Sequence, residues 1–372
     1  MGQPAAVSAK PPSKPIHVAL VGGPESFDRL GEVVRHMIVG LVDEAIRVTL
    51  VCPVSVNADH LAPPAEVVRY APTRVPLLRR RSAQAVAHQV RPAGVDCLHA
   101  LDADGLPLTH RLAAEANLDY LVGIDALRKH VRPPDGRCRA VIAAAEPIRR
   151  RLGVQHALPE DQIHLIRPGI HAARRATCFA DPQHTVAIVA AGRSASPGPF
   201  AAVLYAFAEL RAAGRDCVFF LVGAGRAERT LRRLAQRLDL MGDLTFVDRS
   251  SAEQRADILK AADVFIAPAP SDRVDMELLA AMAGGVPALS GVAEQAEADQ
   301  PNDFVIPDQT ALTFPTGDAA ELTVKLAALL DDRAAARRLA EAALDHLRQH
   351  HSPARNTKQL ADLYRACVRP GG

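Results

Sequence analysis

The sequence predicts an α/β protein built from two tandem doubly wound domains that face each other across a cleft. Three observations carry this. A chain of 372 residues is about twice a typical single domain. Short apolar strand-like runs alternate with helical periodicity along most of it. That alternation breaks once, near 172–184, and then restarts.

The elements follow in order. IHVALVGG, Ile16 to Gly23, is an apolar, β-rich run ending in a glycine pair. LGEVVRHMIVGLVDEA then places apolar residues at helical spacing, and IRVTLVCP is again a strand. Strand, helix, strand within so short a span is a βαβ unit and requires parallel pairing. The pattern continues through VDCLHAL, LPLTHRLAAEA, YLVGID, RAVIAA, EPIRRRLG and QIHLIRPG. The second series opens at TVAIVAAG and runs through AAVLYAFAELRAAG, CVFFLVGAG, AERTLRRLAQRL, LTFVD, EQRADILKAA and DVFIAPAP. Beyond Ala319 the chain reads as helix, ending in NTKQLADLYRACV. These boundaries predict a tail over 1–14, a first domain over 15–176 and a second over 182–351. The last helix, 356–368, carries the apolar stripe Leu360, Leu363, Tyr364 and Cys367, which needs a surface to cover and is expected to cross back onto the first domain.

Composition narrows the function classes. Apolar residues make up 48% and charged residues 23%, ordinary for a globular chain and too apolar for a disordered one. Lys and Arg total 44 against 42 Asp and Glu, and the net +2, with no Trp, argues against a nucleic-acid binder. Six cysteines without a C-x-x-C pair read as free thiols of a reducing compartment. The fourteen histidines suggest no metal set, and neither a metal nor a cofactor is expected. The first residues, MGQPAAVSAKPPSKP, lack the apolar core of a signal peptide, and no run approaches eighteen apolar residues. A cytoplasmic protein is expected, with peripheral contact on the inner face of a membrane left open.

The second half also resembles a known family. AAGRSASPGPFAAVLYAFAELRAAG, FFLVGAG, LTFVD and ILKAADVFIAPAPSDRVDMELLAAMAGGVPAL resemble, in order and spacing, the donor domain of GT-B glycosyltransferases, specifically the retaining family 4. LIRPGIHAARRATCF resembles the family's interdomain segment, and the strand–helix order from Ile16 fits its acceptor domain. The resemblance implies two Rossmann-like domains, a nucleotide-sugar donor as substrate, and a polysaccharide or lipid acceptor. Positive side chains and helix N-termini then stabilise the charge that grows on the leaving diphosphate.

Residue by residue, the implied site is mixed. The family's Gly-Arg falls on Gly192 and Arg193, but the following Lys falls on Gly198. Its first Glu falls on Asp272 and its second on Ala280, and the glycine before the helix falls on Asp275. In the first half its His-Asp pair falls on Ile124 and Asp125. Charge-assisted hydrogen bonds contribute about 1.5–3 kcal/mol each, so losing the Lys and the second Glu would cost about 3–6 kcal/mol of donor affinity. Glu277, three residues before Ala280 on the same helical face, is a candidate substitute ligand for a sugar or ribose hydroxyl; favouring the helix dipole is the alternative.

Glycines supply the remaining candidates. Gly22 and Gly23, after the first strand, either admit a ligand or serve strand-to-helix turning. Gly223 and Gly225 echo a dinucleotide fingerprint whose third position is Glu228, so hydride transfer is not favoured. The triplet Arg79, Arg80 and Arg81, beside apolar residues of LLRRRSAQAVAHQV, is either a solvated face or a docking surface for an anionic membrane. Two functions remain: a retaining hexosyltransferase with Asp272, Glu277 and Asp125 in catalytic positions, or a catalytically silent homologue that binds or scaffolds in cell-surface glycan assembly.

Overall fold

A computed structural model describes residues 15–58, 61, 65–73, 75–127, 135–156, 158–181, 184–192, 196–247, 252–293 and 300–368. The tail over 1–14 and Arg193 lie outside them.

The first half forms β1 (His17–Val21), α1 (Ser26–Asp43), β2 (Arg47–Pro53), β3 (Glu66–Tyr70), α2 (Pro76–Val90), β4 (Cys97–Ala100), α3 (Leu106–Ala116), β5 (Asp119–Ile124), β6 (Cys138–Ala143), α4 (Glu146–His156) and β7 (Ile163–Leu165). Its seven strands lie in the order β3-β2-β1-β4-β5-β6-β7, all parallel. The strands are near-continuous apolar runs because helices cover both faces of the sheet; every residue of β1 and of β4 is buried. The short β3, EVVRY, has a mixed polar pattern suited to an edge, which is why it gives no strand signal in the sequence.

The second half forms β8 (Val186–Ala191), α5 (Gly198–Ala212), β9 (Cys217–Val222), α6 (Glu228–Arg237), β10 (Leu244–Val247), α7 (Ala252–Lys260), β11 (Val264–Ala267), α8 (Met276–Ala283), β12 (Ala288–Val292), β13 (Leu312–Pro315), α9 (Ala319–Asp331), α10 (Arg333–His350) and α11 (Pro353–Cys367). Its six strands lie in the order β10-β9-β8-β11-β12-β13, again parallel. Two doubly wound parallel sheets are the predicted fold class.

In each sheet the winding direction reverses beside the first strand, between β1 and β4 and between β8 and β11. Ligand crevices open at such points, beyond the carboxyl ends of the strands. The largest apolar cluster crosses from one half to the other, joining Ile124, Ile148 and Ile170 to Val274, Leu278 and Leu347. The chain's last helix, α11, packs on α1 and buries Leu360, Leu363 and Tyr364 there. Burial of each such side chain stabilises by about 1.5–3 kcal/mol. Tyr364 shares a 2.6 Å hydrogen bond with His99 at the heart of the first half, and Arg365 pairs with Glu44 at 3.0 Å.

Candidate active site

Two loops meet across the seam. Residues 125–127 follow β5 and residues 272–274 precede α8, and they pair as a short antiparallel bridge between Ala126 and Arg273. The Leu127 amide donates to the Asp272 carbonyl at 2.7 Å, and the Val274 amide to the Asp125 carbonyl at 2.8 Å. The structure thus brings together two of the three catalytic candidates, Asp125 and Asp272. Their side chains differ sharply in setting. Asp272 is exposed, whereas Asp125 is 6% exposed and ion-paired to Arg29.

Arg29 also binds Asp102 at 2.7 Å. Asp102, fully buried after β4, accepts from the Ser26 hydroxyl at 2.8 Å and from the Asp104 and Gly105 amides at 3.0 Å. Desolvation pushes the Asp125 carboxyl above its usual range, with the Arg29 guanidinium pulling the other way. Arg273 meets Asp104 at 3.6 Å, and Arg167 binds Asp303 at 2.6 Å, so charges of opposite sign meet at two places across the seam.

The N-terminus of α8 is occupied by its own cap. Asp275 Oδ1 accepts from the Glu277 and Leu278 amides, each at 3.1 Å, while the Asp275 amide donates to Asn302 Oδ1 at 2.8 Å. These are the N–H groups that would meet an anion at a helix start. Desolvation raises the Asp275 carboxyl above its ordinary value, and the two amide bonds offset part of that. Glu277 stands in the first turn, half-buried, with Ala280 one turn further on.

The glycine candidates divide in two. At Gly22 an added Cβ would lie 2.4 Å from the Phe27 ring, and at Gly23 2.8 Å from the Asp104 backbone. The close approach there is to the chain itself, and the Gly23 amide is taken by Ser26 Oγ at 2.8 Å. Gly192, Gly223 and Gly225 differ. Their φ values of 151°, 74° and 52° are ones L side chains rarely adopt, and among the described residues a Cβ would meet nothing closer than 3.6 Å at any of them. They follow β8 and β9 on the crevice side of the second sheet, where a backbone cradle for a ligand needs open space.

Comparison with known proteins fits this geometry. Residues 188–346 match the family described as Glycosyl transferases group 1. The second half carries a group 1 glycosyltransferase domain. Within the chain, 137 residues are 34% identical to the GDP-mannose-dependent monoacylated alpha-(1-6)-phosphatidylinositol monomannoside mannosyltransferase of Corynebacterium glutamicum. The match covers 35% of this chain and 34% of that enzyme, about a third of its length. Solved structures share the whole fold at low identity. A glycosyltransferase from Rickettsia africae superposes with a TM-score of 0.74 at 14% identity, covering 96% of this chain and 100% of that one. Anabaena HepE, solved with UDP and glucose, gives 0.70 at 15% identity over 94% and 100%. These likenesses establish the GT-B architecture around the group 1 domain.

Sequence reasoning missed Arg29, Asp102, Asp104, Arg273, Asn302 and Asp303. Only the cluster of acids in LDADG after β4 offered a signal; the rest sit at ordinary helix and loop positions. His346 and His350 stand one turn apart on α10 with ring centroids 4.6 Å apart, a pair the sequence reading passed over. Among the described residues no group of three His, Cys, Asp or Glu side chains is placed to hold a metal ion.

Proposed function

We propose that this chain transfers a hexose from a nucleotide sugar to a glycan or lipid acceptor, with retention of configuration. The donor would lie on the group 1 domain and the acceptor over the first half. The observation that carries the reading is the set of positive-φ glycines, Gly192, Gly223 and Gly225, that follows β8 and β9 beside the switch point of the second sheet. In this reading Arg193 holds the diphosphate, Asp272 contacts the sugar, Glu277 replaces the missing hydroxyl ligand, and Asp125 faces the reacting carbon from the first half. The mannosyltransferase relative, whose name specifies GDP-mannose and an acylated lipid acceptor, supports both substrate classes.

Membrane contact belongs to the same reading. On α2, Leu77 is 78% exposed beside Arg80 and Arg81, and Val75 and Leu78 are exposed with it. Apolar and basic residues displayed together suit an anionic lipid surface. No described helix is long and apolar enough to cross a membrane.

A second reading, the catalytically silent homologue, is favoured by the Asp275 carboxylate on the α8 amides, where a diphosphate would otherwise bind. Titration with UDP, GDP and their hexose conjugates separates the two. Micromolar binding with release of nucleoside diphosphate on adding acceptor supports transfer. Absence of nucleotide binding to well-folded protein supports silence.

A further inference from the structure

An apolar cleft opens beside Asp125 in the first half. Its volume is about 100 Å³, and its walls come from α1, the ends of β5 and β6, the segment 166–169 and α11. That is room for several methylene groups, since a single water-sized site takes roughly 10–15 Å³. Leu30, Val33, Met37, Ile124, Ile166 and Leu360 supply the apolar lining.

Four of the polar side chains in the walls are engaged within the fold, and the Thr357 hydroxyl lines the cleft beside them. Arg167 is bound to Asp303 at 2.6 Å, His99 to Tyr364 at 2.6 Å, Asn356 to the Arg167 carbonyl at 2.8 Å, and Asp125 to Arg29. Burial holds His99 down to about 4, so it brings no charge at neutral pH. One lining atom is an orphan among the described residues: His36 Nδ1 is buried with no hydrogen-bond partner, its ring meeting His171 edge-on with centroids 4.3 Å apart.

A sugar entering such a space would find few polar groups for its many hydroxyls, and each one left unpartnered opposes binding. A hydrocarbon chain has no such need, and its single ester or hydroxyl group could meet His36 Nδ1. We infer that this cleft holds one acyl chain of a lipid acceptor, placing the acceptor's head group beside Asp125 at the domain seam. The inference rests on the transfer reading and deepens it, choosing lipid over polysaccharide.

The test uses the full chain and a fluorescent fatty acid as probe, displaced by dodecanoate or by maltohexaose. Saturable binding, displaced by dodecanoate and untouched by the sugar, is expected. Ala144→Phe, which fills the cleft from the end of β6, should weaken probe binding tenfold or more. Val324→Phe, at an exposed position of α9, should leave it unchanged. Should Ala144→Phe fail to fold, a photoactivatable fatty acid on the wild type replaces it, and labelling should map to residues 30–37 and 353–360. No saturable binding, unchanged binding by a folded Ala144→Phe, or labelling elsewhere overturns the inference. UDP and GDP titrations run alongside. Acyl binding without nucleotide binding sinks the transfer reading and leaves the cleft assignment standing, whereas nucleotide binding without acyl binding does the reverse.

Discussion

Replacing Asp275 by Gly should turn the capped α8 start into an anion site. The carboxylate now accepts from the Glu277 and Leu278 amides at 3.1 Å each, and its charge repels a diphosphate. Gly caps almost as well as Asp, within a few tenths of a kcal/mol, so the fold should survive. Two freed amides would each offer a charge-assisted bond of about 1.5–3 kcal/mol to a phosphate, and ordering the nucleotide opposes part of that gain. A net gain of at least ~1.4 kcal/mol, tenfold in Kd, is expected for UDP or GDP by calorimetry. Asp275→Asn is the control: its Oδ1 can keep both amide bonds while the charge is gone, so it should gain less than the glycine variant. If Asp275→Gly melts like wild type and binds neither nucleotide more tightly, α8 is not where the phosphates lie.

Other consequences follow from the same structure. Gly198→Lys with Ala280→Glu should tighten donor binding by about 3 kcal/mol, roughly a hundredfold, by calorimetry; Arg193→Ala should remove what the wild type binds. Binding to anionic vesicles should fall steeply with salt and be lost when Arg79, Arg80 and Arg81 become Gln, since each Arg near the surface contributes about 1 kcal/mol; equal binding of both forms would leave a solvated face. Acid should destabilise the fold through two buried histidines, His99 and His351, each held to about 4 by burial against an ordinary 6.5. Between those pH values the unfolded chain binds protons that the folded chain refuses, so stability falls as pH drops through the window, by about 3 kcal/mol for each. Denaturant melts of His99→Gln between pH 7 and 4 should show a shallower loss than wild type.

The architecture was legible because both sheets are parallel and covered on two faces. That makes each central strand an unbroken apolar run such as VALV or VFIA, set between amphipathic helices. Edge β3 was not legible, since EVVRY buries only Val68 and Tyr70 and so has no apolar run to read. Strands β12 and β13 were hidden differently: ALSGV and LTFP mix small and polar residues that the fold buries or half-buries only in tertiary context.

The site divides along the same physical line. Local backbone demands leave a mark in sequence, so the glycines after β8 and β9 were found, and their unusual φ values explain why glycine stands there. Electrostatic partnerships in and beside the seam leave none, because they join residues remote in sequence. Arg29 lies 96 positions from Asp125, and Arg167 136 from Asp303. The carboxylate at 275 belongs to both classes. Its departure from the pattern that the resemblance implies was visible as a single letter, but whether it repels a ligand or replaces one depends on where it points. It points back at its own helix, accepting from the two amides that a phosphate would seek. If a nucleotide sugar is the donor, its affinity turns on how readily that internal anion gives way, and that competition is what the Gly and Asn variants at 275 measure.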